Sequence, residues 1–200
     1  NSGKFNEAFN YSKKLEKKNL NSFESDLIIG IYYFKNQNYN LSKKYFSKIK
    51  NKNSKFILNN FISESFLNWS DFDKLDLNEA QIKINKMDKR FENIKKIQYV
   101  FLHCFYKSRK TESLFKKLIS DDKVDFSRYN YFYAKYLENE GKINEAEEVI
   151  NSSLKLHPRN LLLSQYQHDL RNGKVHNNFS CSRQTDALAE ILYIAANALS

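Results

Sequence analysis

Large apolar residues recur at intervals of three and four along most of the chain, a spacing that places them on one face of an α-helix. Two consecutive segments show it clearly, with Tyr133 and Leu137 in the first and Ile150 and Leu154 in the second. Polar residues occupy most of the intervening positions, as expected of helices that bury one face and expose the other. The pattern predicts two adjacent amphipathic helices.

The residues between and after these segments indicate where the two helices end. Gly141 stands at a tight turn, where a residue without Cβ is favoured. Pro158 prevents the second helix from continuing. Ala134 and Ala146 are small at positions where two helix backbones would approach closely. Residues 126–158 are therefore predicted to form one antiparallel helix hairpin.

This hairpin resembles the tetratricopeptide repeat (TPR), a unit of about 34 residues that contains two antiparallel helices. The small, turn and terminal-proline positions of the repeat are matched by Ala134, Gly141, Ala146, Ser153 and Pro158. The resemblance is to bacterial-type proteins of the family. It implies an all-α fold, an α-solenoid of stacked hairpins, because one hairpin cannot bury its apolar face alone.

Similar spacing divides the whole chain into approximate repeat units. Segment 26–34 has the first-helix pattern of the repeat, and Gly3 and Ala8 are separated as Gly141 and Ala146 are. The predicted division is a half repeat over 1–20, then units over 22–54, 55–90, 91–122 and 126–158, and an incomplete last unit over 159–200. About eleven helices follow, all in a single solenoid domain.

Apolar spacing also predicts the bounds of individual helices outside the clearest hairpin. These helices are Lys55–Trp69, Leu77–Phe91, Ile94–Tyr106, Thr111–Ile119, Arg159–Leu170 and Asp186–Leu199. Thr111 is expected to cap the helix that it begins, because a hydroxyl there accepts a hydrogen bond from the first turn. Segment 172–184 is the only long stretch that reads as a loop.

Composition agrees with a helical chain. Only 4 Gly and 1 Pro in 200 residues leave little turn chemistry for a β-sandwich, a barrel or a glycine-looped nucleotide fold. Hydrophobic residues make up 41% of the chain and aromatic residues 15%, which excludes a disordered linker. Cys104 and Cys181 are too few for a disulfide framework and too far apart for a CxxC pair.

The net charge of +10 makes nucleic acid or an anionic membrane surface possible partners. Of the basic residues, however, 27 are Lys and only 6 are Arg, the residue favoured for bidentate contacts to phosphates and bases. The Lys residues are scattered in pairs and interleaved with Asp and Glu. We interpret them as solvated helix faces, and no specific nucleic-acid binding is expected.

No motif in the sequence indicates an active site, since HExxH, GxSxG and a phosphate-binding glycine loop are all missing. His103 and Cys104 are adjacent, so on a helix they point apart and do not converge on one metal ion. We expect both in the core. Cys181 has His176 as its nearest candidate base, without a third group to orient it. The sequence predicts a non-catalytic protein with no metal site and no cofactor.

The TPR resemblance also implies a binding surface. In that family the first helix of each unit lines a concave groove that binds a protein or peptide. The corresponding residues here are Glu24, Leu27, Ile31 and Phe34 in one unit and Arg128, Tyr131, Lys135 and Glu138 in another. The family's clamp for the terminal carboxylate of heat-shock chaperones needs Lys and Asn at set groove positions. Leu27 and Ile31 stand there instead, so that activity is not implied.

The resemblance therefore implies a scaffold or adaptor whose partner is a protein or peptide of unknown identity. Two alternatives stay open. One is a helical-repeat RNA-binding protein like the pentatricopeptide family, although equivalent positions show no recurring polar code for bases. The other is the non-catalytic helical arm of a larger enzyme.

The two ends of the sequence suggest a fragment of a longer protein. The chain begins without Met or a signal segment and stops inside an apolar run, so cytoplasm and periplasm both stay open as compartments. No apolar stretch reaches the roughly 18–20 residues of a membrane-spanning helix. The run Ala187–Leu199 is apolar nearly all round, which predicts the first helix of a further unit. Its uncovered face would promote self-association.

Overall fold

The computed structural model describes residues 2–52, 57–173 and 179–198. Within these ranges the chain forms eleven α-helices and no β-strand, which confirms the predicted all-α class. The helices are α1 (Ser2–Lys17), α2 (Phe23–Lys35), α3 (Tyr39–Lys52), α4 (Ile57–Trp69), α5 (Leu77–Asn85), α6 (Glu92–Phe105), α7 (Thr111–Ile119), α8 (Tyr129–Asn139), α9 (Ile143–Leu156), α10 (Leu161–Arg171) and α11 (Gln184–Asn197).

These helices belong to two compact units. The first unit contains α1 to α5 together with α11 from Leu188 onwards, and the second contains α6 to α10 and α11 as far as Ala187. Within each unit, helices that follow one another in the chain pack side by side. This is the arrangement expected of hairpins that bury their apolar faces on their neighbours. The boundaries of the individual repeat units stay predictions.

In the first unit, α2 and α3 form a close antiparallel hairpin. Ser22 and Ser25 form a capping box that starts α2, each side chain accepting a backbone N–H of the other residue. The hydroxyl of Ser42 on α3 donates a hydrogen bond of 3.0 Å to the carbonyl of Gly30 on α2. Small residues at both positions allow the two backbones to approach this closely.

An aromatic core fills the space between α2, α3 and α4. The ring of Phe46 stacks on that of Phe66 at 4.2 Å, and Phe34 meets Phe66 edge to face at 5.3 Å. Trp69 is fully buried, with its ring 5.0 Å from that of Phe72. Burial of each such side chain stabilises the fold by about 1.5–3 kcal/mol, so these rings hold the three helices together.

Gly30→Ala tests the close approach of α2 and α3. The added Cβ would lie 2.8 Å from Cε2 of Phe46, a fully buried ring. We expect overpacking to lower the free energy of unfolding by about 1–3 kcal/mol, measured by urea denaturation. Gly3→Ala is the control, because a Cβ at Gly3 meets nothing within 4 Å. Equal stability of both variants and the parent chain would contradict the prediction.

Two helix ends differ from the sequence predictions. The helix predicted over Leu77–Phe91 is wrong in length: α5 stops at Asn85, and a separate 3₁₀ turn covers Lys89–Phe91. The carboxylate of Asp88 accepts the backbone N–H of Arg90 at 2.9 Å, a local bond that competes with helix continuation. Thr111 is not the cap of α7, because its hydroxyl donates backwards to the carbonyl of Ser108 at 2.8 Å.

The remaining helix bounds agree closely with the sequence. Helix α4 is described from Ile57, and the predicted start at Lys55 and Phe56 lies outside the described residues, as does Leu199. Helix α11 buries some apolar residues and exposes others. Its buried members include Ala187, Leu188, Ile191 and Ala195, and its exposed members include Ala189, Tyr193 and Ala196. Self-association through this helix stays a prediction.

In the second unit, α8 and α9 form the hairpin that the sequence predicts most clearly. Gly141 has a φ of +78°, the left-handed conformation that favours glycine. Its N–H bonds to the carbonyl of Glu138 and the N–H of Lys142 bonds to that of Leu137, which is a Schellman ending for α8. Ala134 and Ala146 are fully buried, so the turn and the close contact are both confirmed.

Ala146→Leu tests the packing of this hairpin. Since Ala146 has no exposed surface, three extra carbon atoms should overpack the contact and lower the free energy of unfolding by about 1–3 kcal/mol. Lys155→Leu adds an apolar side chain at an exposed position of the same helix and serves as the control. Thermal melts compare the two variants. Equal melting temperatures would show that the predicted repeat register is wrong.

Phe101 of α6 lies at the centre of the second unit. Its side chain is fully buried, and four other aromatic rings lie around it at centroid distances of 5.3–6.5 Å. These are the rings of Phe115 on α7, Tyr129 and Phe132 on α8, and Phe179 in the segment before α11. One side chain thus joins three helices and a loop into a single core.

One helical turn after Phe101, a disulfide joins Cys104 of α6 to Cys181 before α11, with Cα atoms 5.4 Å apart. Both residues are buried, which confirms the predicted burial of Cys104 beside His103. Two cysteines are too few for a disulfide framework, and this single bond was not predicted from the sequence. They are separated by 77 residues, and nothing in the local sequence of either residue indicates that the fold brings them together.

Candidate functional site

The first group of predicted groove residues lies along α2. Glu24 is exposed, and Leu27 and Ile31 are half-buried, so the three form a partly accessible stripe. A hydrogen bond from the side chain of Ser22 lowers the pKa of Glu24, which is therefore ionised at neutral pH. Phe34 is buried in the aromatic core and does not contribute accessible surface.

The second group lies along α8, and part of it is covered by α10. Tyr131 and Lys135 are buried, while Arg128 and Glu138 are half-buried. The ring of Tyr166 on α10 meets that of Tyr131 at 5.3 Å. It also lies 5.2 Å from the Nζ of Lys135. The covered positions cannot meet a partner unless α10 moves.

A polar network closes this part of the second unit. The hydroxyl of Tyr166 donates a hydrogen bond of 2.6 Å to Glu138, which also pairs with Lys135 at 2.6 Å. Burial and the hydrogen bond to Glu138 raise the pKa of Tyr166, so it stays a neutral donor. The network satisfies its charged groups internally, as buried charges require. It thus holds α10 against α8.

The cover provided by α10 is the feature of this surface that sequence reasoning missed. Helical spacing places Tyr131, Lys135 and Glu138 on one face of α8, and Arg128 immediately precedes that helix. The missing information was the position of Tyr166 on α10, two helices further along the chain. A large aromatic residue at the centre of α10 was the signal that could have indicated this cover. Partner binding by the eight predicted residues stays a prediction.

Several of the Lys residues form ion pairs with Asp or Glu. Glu112 pairs with both Lys116 and Lys142, each at 2.7 Å, and the hydrogen bonds from these two lysines lower its pKa to about 2. Asp71 likewise bridges Lys43 and Lys83, and Lys48 pairs with the buried Asp26. Some of these pairs link different elements, as Lys48 on α3 does with Asp26 on α2, and others lie within one helix, as Glu112 and Lys116 do on α7. They support the interpretation of the basic residues as helix faces with local acidic partners.

The residues with catalytic or metal-binding potential have structural explanations. His103 is buried, and burial lowers the pKa of its imidazole. The sulfur atoms of Cys104 and Cys181 are joined, so neither is a thiol, and His176 lies outside the described residues. Over the ranges that the structure describes, no cluster of His, Cys, Asp and Glu is arranged to hold a metal ion. Likewise, no helix described there is both long and apolar enough to cross a membrane.

Comparisons with known proteins reveal the fold but assign no family. No family model and no curated protein matches the chain. A solved structure does match: the crystal structure of TTC0263, described as a thermophilic TPR protein in Thermus thermophilus. Its TM-score is 0.55 at 13% sequence identity, over 85% of this chain and 92% of that one. At this identity the similarity shows the fold, and it confirms the predicted α-solenoid of TPR-like hairpins.

Proposed function

We propose that the chain is a non-catalytic scaffold that binds a protein or peptide partner along the first helices of its hairpins. The observation that carries this proposal is the fold, because stacked helix hairpins typically present extended surfaces for binding. The accessible residues Glu24, Leu27 and Ile31 on α2 would make the principal contacts. Arg128, which immediately precedes α8, and Glu138 on α8 would add polar contacts.

The α2 stripe combines features of a peptide-binding surface. Leu27 and Ile31 are one helical turn apart and half-buried, so they offer apolar area without being part of the core. The ionised Glu24 beside them would orient a polar or basic group of the partner. Anchors of this kind, held on a rigid helix, bind with a low entropy cost because their positions are fixed before binding.

Site-specific photo-crosslinking tests this proposal. A photoreactive amino acid at Leu27 or Ile31 should give a discrete protein adduct in an extract of the source cells, and one at the exposed Ile82 of α5 should not. With the captured protein purified, Leu27→Asp should weaken its binding at least tenfold, and Ile82→Asp should leave it unchanged. Adducts of equal yield at all three positions, or equal affinities, would contradict the proposal.

Weak binding of nucleic acid is the prediction that separates this function from the RNA-binding alternative. The Lys residues are scattered and several of them pair with acidic neighbours, so any affinity should be electrostatic and should fall steeply between low and physiological salt. Titration of a labelled single-stranded RNA measures this. Submicromolar affinity with strong sequence preference at physiological salt would refute the protein-scaffold proposal.

The disulfide bears on where this scaffold would act. Structural disulfides form and persist in oxidising compartments and are rare in the cytosol. The bond between Cys104 and Cys181 therefore supports the periplasmic alternative over the cytoplasmic one. Binding experiments should accordingly use the oxidised protein.

A further inference from the structure

A cleft of about 660 Å³ lies where the connector between α7 and α8 passes α9. Its volume is within the range of about 300–1,000 Å³ that is usual for ligand sites. The connector supplies one wall, and residues on the outer side of α9 supply the other. The lining residues are Ile119, Ser120, Asp121, Asp122, Val124, Asp125, Phe126, Ser127, Asn130, Glu148, Val149, Ser152, Ser153, Leu156 and His157. None of them belongs to the proposed groove surface.

The cleft is acidic in a chain that is otherwise basic. Four of its fifteen lining residues are Asp or Glu and none is Lys or Arg, although the chain contains 33 basic residues. Asp121 already pairs with Lys96 at 2.6 Å. Asp125 accepts the backbone N–H of Ser127 at 2.8 Å and so stabilises the connector. Asp122 and Glu148 are both exposed, and they are the carboxylates that remain for a ligand.

A buried hydroxyl gives an independent indication of a ligand. Ser153 lines the cleft and is only 4% exposed, yet its Oγ has no hydrogen-bond partner among the described residues. Leaving a buried polar atom unsatisfied costs free energy, so such atoms in native proteins call for an explanation. A bound group with a hydrogen-bond donor would satisfy the oxygen of Ser153 at the wall of the cleft.

The cleft also has an apolar rim. Leu156 is 77% exposed, and Val149 lies nearly two turns earlier on the same helix. Acidic residues beside exposed aliphatic ones match a ligand that carries a positive charge next to an apolar group. Over the described ranges no cluster of His, Cys, Asp and Glu is arranged to hold a metal ion. An organic cation fits the combination of carboxylates and aliphatic side chains.

We propose that this cleft binds a partner's peptide segment through a Lys or Arg side chain, with an adjacent large apolar residue of the segment packed on Leu156. Asp122 and Glu148 balance the positive charge, and the hydroxyl of Ser153 accepts one of its N–H groups. Because the net charge of the chain is +10, long-range electrostatics oppose a basic ligand, and binding must depend on these local carboxylates. The site is separate from the proposed α2 and α8 surface.

The probe for a direct test is a fluorescein-labelled peptide of alternating Arg and Leu with blocked ends. Its reference is the same peptide with Gln in place of Arg. Fluorescence polarisation with the full chain should show saturable binding of the Arg peptide only. The double variant Asp122→Asn/Glu148→Gln should bind it at least tenfold more weakly. Glu140→Gln/Glu147→Gln, which makes the same change in net charge at exposed positions outside the cleft, should bind like the parent chain.

Ser153→Ala distinguishes a role of this hydroxyl in binding from a purely structural role. Removing the unsatisfied hydroxyl should leave the melting temperature equal or higher while weakening peptide binding severalfold. Equal loss of binding in both double variants, or no binding by the parent chain, would overturn the proposal. Spermidine binding with the same dependence on Asp122 and Glu148, together with no contribution of the Leu residues to binding of the peptide probe, would also overturn the proposal. The ligand of the cleft would then be a free polyamine. Leu27→Asp should leave binding of the probe unchanged, which distinguishes this site from the proposed groove.

Discussion

Replacing both cysteines of the Cys104–Cys181 disulfide by alanine is expected to lower the free energy of unfolding by about 2–5 kcal/mol. The bond closes a loop across a sequence separation of 77 residues, and the unfolded chain gains conformational freedom when that closure is removed. The chain-entropy relation gives about 4.5 kcal/mol for a loop of this length at 25 °C. Alanine is preferred to serine because both positions are buried and a hydroxyl there would need a partner.

Urea denaturation of three samples measures the effect. The oxidised parent chain should unfold at the highest urea concentration. The reduced parent chain and the Cys104→Ala/Cys181→Ala variant should share a lower midpoint, and adding reductant to the variant should change nothing. A variant as stable as the oxidised parent would show that the disulfide does not constrain the unfolded state to the expected extent.

Phe101→Ala is the second substitution with a large expected effect, a loss of about 3–5 kcal/mol. The side chain is fully buried, so truncation removes its transfer free energy and leaves a cavity between α6, α7 and α8. Three of the four rings around it belong to α7 and α8 and the fourth is that of Phe179, and they cannot all move to fill the space. We expect loss of structure in the second unit at temperatures where the parent chain is folded.

The control is Tyr11→Ala, at an aromatic residue that is 64% exposed on α1. It should change the free energy of unfolding by less than about 0.5 kcal/mol, as is usual for surface positions. Near-ultraviolet circular dichroism, recorded during a thermal melt, measures the loss of tertiary structure in both variants. If Phe101→Ala had the same melting temperature as the parent chain, the ring of Phe101 would not be the centre of the core of the second unit.

The helices could be predicted because the interactions that form them join residues only three or four positions apart. Ala134 and Ala146 are fully buried, and Gly141 has the positive φ that its place in the turn requires. The bounds of α7 are the same in the prediction and in the structure for this reason. Where a side chain formed a competing local bond, as Asp88 and Thr111 do, the apolar spacing gave no indication of it.

Features that depend on distant segments could not be predicted. The spacing of Tyr131 and Lys135 identified a shared face of α8, but periodicity does not say which other helix covers that face. Tyr166 does so in the structure. The acidic cleft also depends on the path that the connector takes beside α9, and Ser153 was recognised in the sequence only as a small packing residue.

The disulfide has a further consequence for the chain under mechanical tension. When its two ends are pulled apart, the covalent path runs directly from Cys104 to Cys181, and the helices α7 to α10 carry no load. A sequence separation of 77 residues corresponds to about 250–280 Å of fully extended chain at 3.3–3.6 Å per residue. The oxidised protein would therefore lengthen by that much less than the reduced one before the chain became taut, so the bond shields α8, α9 and the cleft from stretching.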